Sequence, residues 1–187
     1  IGLLSTFRDW REVNTSHLMK EWAATAPAYW GIDPEAPVAP PTGGRIPMAG
    51  SVNPKVGPNW AVVGDAGGSV NPFNGEGIDY AYETGRQVAA LLGESLRTGD
   101  GMHLQQYAGW LDEEYGLYFK VARLFATVIG QPALMRELTR VGMRSRSLME
   151  WVLRIMANLL RPDELGPAEA AYKAAAAIVR RVPDPLP

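Results

Sequence analysis

The sequence predicts an α/β fold, or an α+β fragment of one, that ends in a helical region. Three patterns along its 187 residues lead to this prediction. Over residues 60–99, a short apolar run is followed by a glycine-rich loop and then by a helical pattern. Over residues 103–181, apolar residues recur every three or four positions, as on one face of a helix. Seven of the 15 prolines fall within residues 31–58, which predicts ordered loop there because proline has no N–H to donate.

The composition excludes several classes of protein. A hydrophobic content of 47% with 20% charged residues suits a packed core and excludes a disordered or fibrous chain. Without cysteine there can be no disulfide framework, iron–sulfur cluster or cysteine-bound zinc. Two histidines are too few for a histidine-rich metal site, so no metal is predicted. A net charge of −2 gives no reason to expect nucleic-acid binding.

The first 59 residues are predicted to hold a strand, a short helix and loops. Residues 1–6 are apolar enough for a short strand. Asn14, Thr15 and Ser16 offer an N-cap for a helix over about residues 17–25. The sequence Gly57-Pro58-Asn59 predicts a turn just before the next strand.

Residues 60–99 are predicted to form a strand, a loop and a helix. Residues 60–63 are apolar on both faces, which is typical of a central parallel strand. The loop covers residues 64–77, and the helix runs from about residue 78 to 96, with Gly99 as its terminator.

The remaining residues are predicted to be helical. The first apolar series steps by threes and fours through residues 104–129, and a second series follows over residues 134–159 until Pro162 ends it. A last, alanine-rich helix covers about residues 168–181.

The loop between strand and helix carries the chemistry of the sequence. Asp65 follows the predicted strand, at the edge of a sheet where ligands bind in open α/β folds. Its carboxylate can accept hydrogen bonds from a polyol. Gly75 and Gly77 lead into a helix N-terminus, whose free N–H groups stabilise negative charge. Together they describe a site for a polyol joined to a group that develops negative charge, and a reduced flavin fits.

This segment, WAVVGDAGGSVNPFNGEGI over residues 60–78, resembles the C-terminal flavin-contacting motif of the FAD-dependent oxidoreductases that share the aromatic-hydroxylase fold. Gly-Glu-Gly-Ile, followed by a helix with Ala81 and Gly85, looks most like the geranylgeranyl reductase family. The segment Gly43-Gly44-Arg45-Ile46-Pro47 is similar to one that precedes the last strand in that family. Within the family, the composition is most similar to members that reduce an isoprene unit of menaquinone.

The resemblance implies a fold and a set of site residues. The chain would be the C-terminal part of an aromatic-hydroxylase-like FAD-binding fold with a helical C-terminal region. Residues 1–59 would end the substrate-binding sheet domain, residues 60–99 would hold the last strand, flavin loop and helix, and residues 100–187 would be helical. Arg45 and Pro47 would face the substrate. The residues implied to bind FAD are Gly64, Asp65, Pro72, Gly75, Glu76, Gly77 and Ile78.

For some loop residues the sequence favours a structural role over a chemical one. Glu76 could be catalytic, but a carboxylate at a helix start more often stabilises the helix dipole. Asn71 and Asn74 are expected to hold the turn rather than to touch substrate. No catalytic residue is predicted.

The resemblance implies a flavin-dependent reductase that saturates a double bond of a polyprenyl chain, in a prenylquinone such as menaquinone or in a geranylgeranyl lipid. Reduced FAD would deliver hydride to the double bond. One alternative is an aromatic monooxygenase or halogenase of the same fold, although Gly67-Gly68 stands where many hydroxylases have histidine. Another is a non-catalytic helical module that associates with membranes.

The Gly-x-Gly-x-x-Gly turn with which these enzymes hold the ADP pyrophosphate is absent from the sequence, as is an aromatic Phe-Pro segment of the family. The first residue is Ile1 rather than methionine. We expect these parts to precede residue 1, in an N-terminal half of the same flavoprotein. The chain alone is then expected to bind FAD weakly or not at all, and to be inactive.

The helical third leaves two questions open. Its tyrosine, tryptophan and methionine residues form either helix core or an oily groove for a polyprenyl tail. Six arginines and two glutamates between Arg136 and Arg161 form either a solvated face or a peripheral contact with anionic lipid. The second interpretation places the protein in the cytoplasm, peripheral at the inner face of the cell membrane.

Overall fold

The computed structural model describes residues 12–160 and 166–181. The chain divides into two compact units, Ile1–Arg45 and Ile46–Pro187. Helices make up most of the described part of the second unit, and the described residues form one two-stranded sheet. The predicted helical region is therefore confirmed, whereas the aromatic-hydroxylase-like fold stays a prediction.

In the first unit, α1 covers Thr15–Ala24. The Asn14 side chain accepts a hydrogen bond from the His17 N–H at 3.1 Å, so the predicted N-cap is confirmed. A single 3-10 turn follows at Ala28–Trp30. The strand predicted for residues 1–6 lies outside the described residues.

The second unit begins with a small hairpin. Strand β1, Val56–Gly57, pairs antiparallel with β2, Trp60–Ala61, and Gly57 lies opposite Trp60. The prediction of a central parallel strand at residues 60–63 is wrong for the described residues. The turn at Pro58 and Asn59 reverses the chain, so β2 pairs with the residues just before it, and the Trp60 side chain remains 43% exposed.

In the described part of the second unit, six α-helices and one wider, π-helical turn follow the hairpin. Helix α2 covers Ile78–Thr98 and ends at Gly99, as predicted. Helices α3, Met102–Leu111, and α4, Leu117–Ile129, are joined without a break by a π-helical turn at Asp112–Gly116. The remaining helices are α5, Pro132–Gly142, α6, Arg146–Met156, and α7, Pro167–Val179.

The core is an aromatic cluster between α2, α3 and α4. Tyr80 packs against Tyr115 and Phe119, with ring centroids 5.2 and 5.5 Å away, and Phe73 packs against Tyr118 at 5.9 Å. Burial raises the pKa of Tyr80 to about 12 and also raises the pKa of Tyr115 and Tyr118, so all three phenols stay neutral. Tyr115 and Tyr118 of the helical third therefore form core, as the helical spacing predicts, and the groove interpretation is wrong for these two residues.

One ion pair is buried where α6 meets α7. Glu169 lies in the first turn of α7 and is 2% exposed, and its Oε1 is 2.8 Å from Nη2 of Arg154 on α6. Because a carboxylate is costly to bury without a cation, this pair ties the last helix to α6.

Candidate functional site

A hydrogen bond to α2 anchors the first residue of the candidate loop, Gly64. The Gly64 N–H donates a hydrogen bond to the Thr84 hydroxyl at 3.0 Å, and that hydroxyl donates to the Tyr80 carbonyl at 2.6 Å. Gly64 has a φ of +56°, and a Cβ there would lie 2.9 Å from the Ala81 Cβ. Only glycine allows the loop to leave the hairpin this close to the helix.

We expect Thr84→Val to lower the free energy of unfolding by about 2 kcal/mol, because the buried Gly64 N–H loses its acceptor. Thr127→Val is the matched control, since the Thr127 hydroxyl makes the same kind of bond to the Arg123 carbonyl, at 3.0 Å, on an exposed surface. Urea unfolding of both variants measures the difference. Equal losses in the two variants would mean that the Thr84 bond does not anchor the loop.

Backbone hydrogen bonds fold the loop back on itself. The Asn71 N–H donates to the Glu76 carbonyl at 2.8 Å, and the Gly75 N–H donates to the Asn71 carbonyl at 2.9 Å. The Asn74 side chain accepts from the Glu76 N–H at 2.9 Å. Asn71 and Asn74 therefore hold the turn, as the sequence predicts.

Asn71 also makes contacts that the sequence does not predict. Its side chain is 1% exposed, and its amide nitrogen donates to the Tyr118 hydroxyl at 3.0 Å and to the Met156 carbonyl at 2.8 Å. Its amide oxygen accepts from the Phe73 N–H at 3.0 Å. One buried side chain thus joins the candidate loop to α4 and to the end of α6.

The predicted acid and the predicted helix start lie side by side. A Cβ on Gly77 would lie 2.6 Å from Oδ1 of Asp65 and 3.3 Å from Cγ2 of Val70. The Asp65 carboxylate therefore rests against Gly77, the residue just before α2, in space that the Cβ of any other residue at position 77 would fill. Asp65 is exposed, and within the described residues no group donates a hydrogen bond to its carboxylate.

The start of α2 has free donors beside this carboxylate. Glu76 accepts a hydrogen bond from the Asp79 N–H at 3.0 Å, which is the structural role that the sequence favours for it. Within the described part of the chain, the N–H groups of Gly77 and Ile78 have no acceptor. A free acceptor and two free donors therefore share one surface, as a ligand that is both a polyol and an anion requires.

The other predicted loop residues take different positions. Pro72 is buried, and Gly75 is exposed with a φ of +75°. Gly68 does not face open space: a Cβ there would lie 3.0 Å from the Ser51 N–H nitrogen, so it admits a neighbouring backbone. Ile78 is 72% exposed. Their predicted contacts with FAD stay predictions.

The segment around Pro47 runs along the loop. The Ala49 N–H donates to the Val70 carbonyl at 2.9 Å, and the Gly50 N–H donates to the Gly68 carbonyl at 2.8 Å. Pro47 therefore lies two residues from a part of the second unit that is bonded to the loop. Arg45 belongs to the first unit, and the predicted role of both residues toward substrate stays a prediction.

A polar cavity of about 140 Å³ lies beside this segment and is lined in part by Lys55, Asp112 and Arg123. The Lys55 amine donates to the Gly50 carbonyl at 2.8 Å, and burial lowers the pKa of Lys55 while Asp112 opposes that effect. The Arg123 guanidinium donates to the Ala49 carbonyl at 2.5 Å. Lys55 and Arg123 therefore hold in place residues 49 and 50, which are themselves hydrogen-bonded to the loop.

Comparison with known proteins points to one family. The chain is 33% identical over 191 residues to a menaquinone reductase of Mycolicibacterium smegmatis, which covers the whole chain and 44% of that protein. It is 34% identical over 165 residues to a menaquinone reductase of Mycobacterium tuberculosis, covering 88% of the chain and 38% of that protein. The chain belongs to the geranylgeranyl reductase family.

More distant members of the family match a shorter stretch. The chain is 34% identical over 79 residues to digeranylgeranylglycerophospholipid reductase 2 of Methanosphaera stadtmanae, which covers 41% of the chain and 20% of that protein. The chain spans less than half the length of the menaquinone reductases that it matches. No family model matches it. No solved structure matches it either.

Proposed function

We propose that this chain is the C-terminal part of an FAD-dependent reductase that saturates a double bond of a polyprenyl chain. The substrate would be a prenylquinone such as menaquinone, or a geranylgeranyl lipid. The observation that supports the proposal best is the Asp65 carboxylate lying against the open start of α2, in a chain whose relatives are named as reductases of menaquinone and geranylgeranyl compounds.

In this proposal each loop group has a distinct task. The Asp65 carboxylate accepts hydrogen bonds from the ribityl hydroxyls of FAD. The N–H groups of Gly77 and Ile78 donate to the N1–C2=O edge of the isoalloxazine, where negative charge develops on reduction. In a flavin, the ribityl chain and this edge lie on the same side of the ring system. A site whose N–H donors lie next to its carboxylate acceptor therefore suits a flavin. When bound and reduced, FAD would supply a hydride to one carbon of the double bond, and a proton would be added to the other carbon.

The rest of the flavin site would come from the N-terminal half of the same flavoprotein. An apolar face of α2 supports this part of the proposal, because Ile78, Tyr82 and Leu96 on it are 72%, 78% and 77% exposed. These residues recur at helical spacing on one side of the helix. An exposed apolar face is typically covered in a complete fold, and in this proposal the N-terminal half would cover it.

Replacement of the acid tests the proposal. We expect Asp65→Asn, in the full-length protein, to weaken FAD binding roughly 10-fold, because charge-assisted hydrogen bonds to the ribityl chain are lost. Asp79→Asn is the matched control, since it removes the same charge from the first turn of α2. Flavin fluorescence titration measures both affinities. If Asp65→Asn binds FAD as tightly as the Asp79 control, the proposed site is wrong.

A second variant tests the geometry rather than the charge. We expect Gly77→Ala to weaken FAD binding by a similar factor of roughly 10, because the new methyl group displaces the Asp65 carboxylate. Gly109→Ala on α3 is the control, since a Cβ there meets no atom within 4 Å. The same titration compares the two, and thermal unfolding checks that both remain folded. Unchanged affinity in Gly77→Ala would contradict the proposed contact.

Activity separates the proposed reductase from the alternatives. The full-length protein with reduced FAD is expected to saturate a prenyl double bond under anaerobic conditions, which mass spectrometry detects as a gain of 2 Da. A monooxygenase or halogenase of the same fold would instead consume oxygen. Liposome binding without any turnover of flavin would favour the non-catalytic module.

We further propose that the protein is cytoplasmic and peripheral at the inner face of the cell membrane. A polyprenyl substrate is held in the bilayer by its tail, so the enzyme must reach it there. Among the described residues, none of the helices is both long and apolar enough to cross a membrane.

A further inference from the structure

Helix α5 is exposed along nearly its whole length. Every residue from Pro132 to Val141 is exposed, and within the helix only Gly142 at its end is buried. One side of the helix carries large apolar side chains, which we call the α5 face. The exposed fractions of its members are 39% for Leu134, 36% for Met135, 44% for Leu138 and 59% for Val141.

The polar side of α5 and the turn after it carry an excess of positive charge. Arg140 pairs with Glu137 at 2.5 Å, and Arg146 at the start of α6 pairs with Glu150 at 2.8 Å. Arg136 and Arg144 have no carboxylate partner within the described residues. An apolar face with unpaired cations nearby is the pattern of a helix that lies in a membrane interface.

We infer that α5 is the membrane-binding element of this protein and that its partner is a bilayer rich in anionic lipid. The α5 face would enter the boundary between headgroups and acyl chains, while Arg136 and Arg144 face the lipid phosphates. With 11 residues α5 is roughly 16 Å long, so it would lie in the plane of the interface rather than cross it.

Charge favours a lipid surface over a protein partner. A covering protein would have to supply carboxylates for Arg136 and Arg144 in addition to an apolar groove. An anionic bilayer supplies both: its phosphates face the arginines, and its apolar layer receives the α5 face. The inference deepens the proposed function, since it names the surface that would bring the enzyme to a membrane-borne substrate, but α5 can bind lipid whether or not the loop binds FAD.

Vesicle binding by the full-length protein tests the inference. The protein is expected to sediment with vesicles of phosphatidylcholine and 30% phosphatidylglycerol, and much less with phosphatidylcholine alone. The double variant Arg136→Gln with Arg144→Gln is expected to bind the anionic vesicles about 25-fold more weakly, at about fivefold per arginine. The matched control, Lys173→Gln with Arg181→Gln, removes two exposed cations near α7 and is expected to bind like the parent protein.

The apolar contribution is tested by Leu138→Glu, which is expected to abolish binding to both kinds of vesicle. Val141→Gln replaces it if Leu138→Glu fails to fold, as judged by thermal unfolding. Unchanged binding in the arginine and apolar variants, or no binding by the parent protein, overturns the inference. So does a loss of stability in Val141→Gln without any change in vesicle binding, because it would mean that another part of the protein covers α5.

The result can be separated from the proposed function. FAD titration and prenylquinone reduction in detergent micelles do not require the α5 face, so the arginine variant is expected to retain both. Loss of vesicle binding with retained reduction supports the inference. Absence of FAD binding in a protein that still binds vesicles would reject the proposed function alone.

Discussion

Asn71→Ala is expected to lower the free energy of unfolding by about 4 kcal/mol. The change leaves the Phe73 N–H without its acceptor. It also removes one donor each from the Tyr118 hydroxyl and the Met156 carbonyl, which remain bonded to each other at 3.2 Å. Each buried polar group that loses its partner costs about 1–3 kcal/mol, and the small cavity adds to the loss. Urea unfolding followed by circular dichroism measures the effect.

Asn74→Ala is the natural control for this variant. Asn74 is three residues away in the same loop, and its side chain accepts a single hydrogen bond, from Glu76, on an exposed surface. We expect this variant to lose about 1 kcal/mol at most. Similar losses in both variants would show that Asn71 does no more than hold its own turn.

Arg154→Met is expected to lower the free energy of unfolding by about 3 kcal/mol. The Glu169 carboxylate is 2% exposed, and the change removes its cation while keeping much of the side-chain volume. A buried charge that loses its partner is strongly destabilising, and the partial exposure of Arg154 reduces the effect somewhat. Because Glu169 lies in the first turn of α7, we expect α7 to detach first.

An exposed ion pair provides the comparison. Arg97 is bonded to Glu94 on the surface of α2, with side chains that are 70% and 40% exposed, so Arg97→Met is expected to cost far less stability than Arg154→Met. Hydrogen exchange of α7 in the two variants shows which pair holds that helix. Equal protection of α7 in both would count against a structural role for the buried pair.

The helices could be predicted from the sequence because their signals are local. Asn14 caps α1, Gly99 ends α2, and the spacing of Tyr107, Tyr115 and Tyr118 places them in the core. The strand at residues 60–63 was predicted wrongly because an apolar run does not identify its pairing partner. Here the turn at Pro58 and Asn59 folds the chain back, so the short strand β2 pairs antiparallel with β1.

The chemistry of the candidate site could be predicted from the sequence, but the long-range hydrogen bonds that hold its loop in place could not. An acid after a strand and glycines before a helix are visible as a pattern, and the structure brings Asp65 and Gly77 into contact. The bonds from Asn71 to residues 47 and 85 positions away have no local signal, because they depend on how α4 and α6 pack. The pairing of Ala49 with Val70 is hidden for the same reason.

The bond between Asn71 and the Met156 carbonyl has a consequence for recombination among related reductases. A chimera that joins the loop of one family member to the helical region of another would place Asn71 against a foreign helix end. Crossover points between residues 77 and 156 would therefore separate two halves of one hydrogen-bonded unit. Parents that share asparagine at this position and a matching end of α6 should recombine with the fewest folding failures.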